Sequence, residues 1–103
     1  MEQKEKAEFD YKQLDDIIHS RIRLAIMSVL LSVDEADFNF LKENVKATDG
    51  NLSVHLKKIE TAGYLSVEKL FFERKPLTKY KLTEEGKEAF EKYVERLEKM
   101  LGR

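Results

Sequence analysis

Gly63 marks the point where the hydrophobic rhythm of this chain changes. Before it, Leu52, His55, Leu56 and Ile59 fall at i, i+3, i+4 and i+7, one face of a helix. After it, from Tyr64 to Phe72, β-branched and aromatic residues dominate, and Leu65 and Val67 alternate with Ser66 and Glu68. Glu73-Arg74-Lys75-Pro76 reads as a polar turn holding the only proline, and Leu77 to Leu82 alternates again. The two runs predict a β-hairpin over residues 64–82. One hairpin set among helical stretches in 103 residues points to a single α+β domain, mostly helical, with one modest core.

The flanking segments complete the order. Tyr11, Leu14, Ile17 and Ile18 start a helical spacing that continues through Ile22, Ala25, Ile26, Val29 and Leu30, with a break near His19-Ser20 where Ser20 can serve as N-cap. Asp34 to Asp37 reads as an acidic loop and Phe38 as a very short strand, while Asn39 can cap a second helix that turns Phe40, Leu41 and Val45 inward. Thr48 is a good N-cap for the next helix, about 48–62, and Gly63 supplies the left-handed residue that ends it. Thr83 caps a final helix, about 83–101, with Glu84 and Glu85 in its first turn. Residues 1–10 carry no cap and few apolar positions, so a flexible segment is expected ahead of one domain over 11–103.

Composition removes several classes of function. Without cysteine there is no disulfide scaffold, thiolate metal site or thiol catalysis. His19 and His55, the two histidines, stand too far apart in sequence to suggest zinc, and His55 reads as a packed side chain with a hydrogen-bond partner. Four glycines scattered singly make no phosphate-cradling loop, and no nucleophile–base pair emerges from the spacing. The chain is therefore not expected to be an enzyme or to hold a metal or cofactor. No apolar run reaches the ~20 residues that span a membrane, and the charged opening differs from a signal peptide, so a cytoplasmic protein is expected. The net charge of −1 hides an asymmetry: residues 42–81 carry nine basic and five acidic side chains, the remainder ten and fifteen. A basic middle between acidic ends suits a one-sided nucleic-acid footprint.

The helix beginning at Thr48 carries the functional signal. Opposite its apolar stripe lie Gly50, Asn51, Ser53, Val54, Lys57 and Lys58. Small residues permit close approach to base edges, Asn and Ser can hydrogen-bond them, Val54 can touch a thymine methyl, and lysines meet phosphates. Lys46 and Thr48 flank the same face, and Arg74 and Lys75 at the hairpin turn could reach an adjacent groove or backbone. The alternative reading of this face is an ordinary solvated surface. Asp49 fits a helix-start acid better than a base reader.

These residues bear a family likeness. The run from Asn51 to Leu65 resembles the recognition-helix signature of small MarR/ArsR-like winged-helix regulators, and Arg74 to Gly86 resembles their wing and entry into the last helix. The resemblance covers nearly everything from His19 onward. It implies a winged helix-turn-helix with a two-stranded wing and a long C-terminal dimerisation helix, acting as a dimeric, sequence-specific regulator of transcription on double-stranded DNA. The implied site residues are Lys46, Thr48, Gly50, Asn51, Ser53, Val54, Lys57, Lys58, Arg74 and Lys75. Glu73 departs from the pattern, since such wings often carry a small residue there.

At ~100° per residue, Phe90, Tyr93, Val94, Leu97, Met100 and Leu101 share one arc of the last helix. This arc, with Leu14, Ile17 and Ile18, is expected to form a homodimer, which would favour an inverted-repeat operator. Phe71 and Phe72 are expected to serve core or dimer packing. Two other readings compete: a winged-helix protein–protein module without specific DNA binding, and a regulator whose small-molecule effector sits near Tyr11, Tyr93 and Met100.

Overall fold

The computed structural model describes residues 9–103, so most of the expected flexible segment at 1–10 lies outside the described residues. A 3-10 turn at Tyr11–Gln13 precedes four helices: α1 at Arg21–Ser32, α2 at Phe38–Val45, α3 at Asp49–Thr61 and α4 at Glu84–Met100. The strands are β1 at Ala36–Asp37, β2 at Leu65–Phe72 and β3 at Lys75–Leu82, arranged as an antiparallel sheet in the order β1-β3-β2. This is the expected α+β architecture, with the short strand joining the hairpin as a third member.

Three helices start at the hydroxyl caps expected from the sequence. Ser20, Thr48 and Thr83 each have extended backbone and accept a hydrogen bond from the N–H three residues on, in Arg23, Asn51 and Gly86. Helix α3 ends in a Schellman arrangement: Gly63 has φ of 86°, its N–H donates to the Glu60 carbonyl, and the Tyr64 N–H donates to that of Ile59. Thr83 then ties both ends of the hairpin together, its Oγ1 donating to the Gly63 carbonyl at 2.7 Å and its N–H to that of Tyr64.

Four local expectations need correction. The cap of α2 is Asp37, whose Oδ1 accepts from the Phe40 N–H, so the helix starts at Phe38 and the strand falls on Ala36–Asp37. With that start Phe38, Leu41 and Val45 point inward and Phe40 is exposed. The hairpin turn holds only Glu73 and Arg74, with φ of 50° and 68°, the type I′ geometry that matches strand twist. Lys75 and Pro76 therefore belong to β3, paired with Phe72 and Phe71. Pro76 is tolerated because β1 pairs only with Lys79 and Tyr80, leaving this end of β3 without a neighbour on its second side.

The segment before α1 is not a continuous helix either. Asp15 Oδ1 accepts from the N–H groups of Ile17 and Ile18, reversing the chain and driving Ile18 completely into the core. Tyr93 is also buried, with its hydroxyl 2.7 Å from His19 Nδ1. Ile18 and Tyr93 thus belong to this chain's own core and are not surfaces for a second copy. Around them pack Ile26, Met27, Leu30, Leu41, Leu52, Leu56, Ile59, Leu65 and Leu82, a single cluster joining every helix to the base of the hairpin. Leu14 and Ile17 are half-buried against it.

Candidate nucleic-acid interface

The turn between α2 and α3 is built around Lys46, which adopts the left-handed conformation, φ 60°, and whose N–H donates to the Lys42 carbonyl. Ala47 follows, then Thr48 opens α3, so two residues separate the last residue of α2 from the cap of α3. Lys42 Nζ and Asp49 Oδ1 lie 2.7 Å apart, an ion pair across the turn. Asp49 is engaged there, in keeping with a helix-start acid rather than a base reader.

Burying Leu52, Leu56 and Ile59 fixes the rotation of α3. At ~100° per residue the candidate contacts on α3 spread over an arc of ~160°, with Gly50, Val54 and Lys57 near its middle and Asn51, Lys58 and Ser53 toward its edges. Every one of the sequence-predicted contacts is exposed: Lys46, Thr48, Gly50, Asn51, Ser53, Val54, Lys57 and Lys58 along α3 and its turn, Arg74 and Lys75 at the wing tip. Gly50 is the most telling. A Cβ built on it would meet nothing within 4 Å, and its backbone is ordinary helix. The fold has no need of glycine there, where alanine would favour the helix by up to about 1 kcal/mol, the full interior value.

Arg23 supports this helix from behind. Its Nη1 donates to His55 Nδ1 at 2.8 Å and its Nε donates to the Ile17 carbonyl. An accepting Nδ1 leaves the imidazole proton on Nε2, the neutral form. Burial, then the nearby Arg23 and Lys58 charges, hold the His55 pKa below its ordinary value. His55 is the packed, partnered histidine that its position on the apolar face suggests. Beside it opens a cleft of about 570 Å3 between the start of α1 and the α2–α3 turn, lined by Arg21, Lys46, Thr48, Asn51 and His55 among others. Sequence reasoning missed Arg21: it lies far from α3 in the chain, and only the packing of α1 brings its charge to the same edge.

The wing carries the second group. Arg74 and Lys75 are exposed at its end, with Glu73 beside them. Phe71 and Phe72, expected in a core or packing role, are 76% and 63% exposed, because the ladder carries them past the end of the protein body. On α4, Val94, Met100 and Leu101 are exposed and Phe90 and Leu97 half-buried. Of the residues proposed to line an effector site, Tyr93 and Tyr11 border two adjoining clefts that share Asp15 and Tyr64, and Met100 borders neither. Among the described residues no helix is long and apolar enough to cross a membrane.

Comparison with known proteins agrees with this geometry. Residues 22–101 match the family model described as a winged helix DNA-binding domain. An uncharacterized protein of Methanocaldococcus jannaschii is 37% identical over 78 residues, covering 76% of this chain and 85% of the relative. Among solved structures, a transcriptional regulator homologue from Pyrococcus horikoshii OT3 superposes with a TM-score of 0.74 at 28% identity, over 88% of this chain and 95% of that one. The ytfH protein of Salmonella typhimurium superposes with a TM-score of 0.69 at 20% identity, over 80% and 72% of the two chains, a likeness of fold.

Proposed function

Since this chain belongs to the winged helix DNA-binding domain family, we propose that it is a dimeric, cytoplasmic regulator of transcription that reads a specific duplex sequence. Helix α3 enters the major groove with Gly50, Asn51, Ser53 and Val54 toward base edges, and Lys46, Thr48, Lys57 and Lys58 toward the backbone. Arg74 and Lys75 reach the flanking groove or phosphates from the wing.

Gly50 is the observation that carries this reading. A glycine in the first turn of an exposed helix face, with open space around it, loses stability without serving the fold. It is explained by a surface that must approach α3 closely, as the floor of a groove does. Lys46 and Arg74 support the same view. Their positive φ is set by the C-cap of α2 and by the wing turn, and each places a cation on the proposed DNA side.

Two copies are required for useful affinity, because the basic face of one head is modest. Phe90, Val94, Leu97 and Leu101 follow one another at steps of four, three and four residues along α4, the spacing of a helix–helix seam. A two-fold pairing through this stripe, with Met100 beside it, leaves an inverted repeat as the matching site, its half-sites ~34 Å apart. The test is selection of bound duplexes from a random pool, with oligomeric state measured on the same sample. Recovery of an inverted repeat by a dimer supports the reading; no enrichment and no duplex binding at low salt would remove it.

A further inference from the structure

The wing tip has a composition that phosphate contact alone does not explain. Side chains alternate across the ribbon, so Phe71 and Pro76 share one face with Lys69, while Phe72, Leu70 and Leu77 share the other with Lys75. Both phenylalanines are largely exposed and the fold makes no use of them. Exposed aromatic rings on both faces of a strand ribbon are an aggregation hazard in an isolated protein. The turn that holds them is itself unusual, since Glu73 and Arg74 both carry left-handed backbone that asparagine and glycine would adopt more readily.

What covers two opposite faces at once is constrained. A flat protein partner buries one face of a ribbon and leaves the other in water. The two walls of a nucleic-acid groove flank both faces together. The charge around the rings also favours a polyanion: Lys69 lies beside Phe71, Lys75 opposite Phe72, and Arg74 at the tip. Two acids temper this charge: Glu68 lies across the ladder from Lys79, which pairs with Glu35, and Glu73 shares the turn with Arg74.

We propose that Phe71 and Phe72 form an apolar wedge at the wing tip, which presses into the minor groove beside the half-site read by α3 and bends the duplex. The cations on either face hold the flanking phosphates while the rings displace stacking or sugar contacts in the groove floor. Sequence preference then extends beyond the bases that α3 touches, toward flexible pyrimidine–purine steps under the wing. The wedge rests on the DNA-binding reading and adds a deformation to it.

The test uses the full chain and a duplex of ~25 base pairs recovered by selection, labelled at its ends for energy transfer. Wild type should raise transfer by bringing the ends together. Phe71→Ala/Phe72→Ala should keep the wild-type melting profile, lose the transfer change and bind about 100-fold more weakly, roughly tenfold for each large apolar side chain left unburied. Phe71→Leu/Phe72→Leu, which keeps apolar bulk, should restore most of the bend. The wedge is overturned if wild type binds without changing transfer, or if the alanine variant bends the duplex as well as wild type. It is equally overturned if the alanine variant changes only self-association, which would make a second copy of the chain the occupant. If wild type binds no duplex at low salt, the DNA-binding reading itself falls.

Discussion

Arg23 and His55 are joined by a 2.8 Å hydrogen bond that fastens α3 to α1. The bond needs an unprotonated Nδ1, so it makes folding sensitive to pH. The unfolded chain takes up the His55 proton near the ordinary value of 6.5, whereas the folded chain resists it to lower pH. The contribution is therefore complete above pH 6.5 and is lost as pH falls through that value toward the lowered one. Thermal melts should show Tm dropping on acidification through this range, on top of the response of the carboxylates. His55→Asn, whose Oδ1 can replace Nδ1 as acceptor, should reduce that slope; an unchanged slope would show that the bond plays no part in it.

Gly86 is required for a different reason from Gly50. A Cβ on Gly86 would lie 2.3 Å from the Tyr64 carbonyl oxygen, where α4 crosses the start of β2. Gly86→Ala should lower stability by about 1–3 kcal/mol through this backbone overlap, despite the better helix propensity of alanine. Chemical denaturation measures it, and a stabilised variant would mean that α4 does not approach β2 this closely.

The reverse holds at Gly50. Gly50→Ala should stabilise the free protein by up to about 1 kcal/mol, because the added methyl meets open space. The same variant should weaken or redirect DNA binding. A variant more stable and unchanged in binding would show that Gly50 does not face the DNA.

Val94 and Leu101 test the seam on α4. Val94→Glu/Leu101→Glu places charge on exposed positions and should leave the monomer fold intact. Light scattering should then show a monomer where wild type is a dimer, with duplex affinity falling by tenfold or more as the paired half-sites are lost. A wild-type monomer, or a variant that still dimerises, contradicts this seam.

The elements whose signals are local could be read from the sequence. Ser20, Thr48 and Thr83 cap helices because a side-chain oxygen three residues before a free N–H is enough, and Gly63 ends α3 because its conformation needs no Cβ. The stripe of Leu52, Leu56 and Ile59 fixed the outward face of α3, which is why its candidate contacts all lie exposed. Competition between neighbours was harder to judge: Asp37 took the cap that Asn39 could also have made. Contacts distant in sequence left no trace. Nothing in the sequence pairs Arg23 with His55 or His19 with Tyr93, and only the Asp15 turn reveals that Ile18 faces the core. The exposure of Phe71 and Phe72 was hidden for a related reason, since an alternating pattern does not tell how far a hairpin extends past its body.

The central claim, that α3 reads bases while its lysines hold phosphates, is tested most directly by salt-dependent titration of three proteins against the selected duplex and a scrambled one. Wild type should lose affinity linearly in log–log form as salt rises. Lys58→Ala should weaken both duplexes alike and reduce the slope by about 0.9, one phosphate contact. Asn51→Ala should keep the wild-type slope while losing preference for the selected duplex by about 5- to 100-fold. If all three proteins gave the same isotherms on both duplexes, α3 would not be the reading surface.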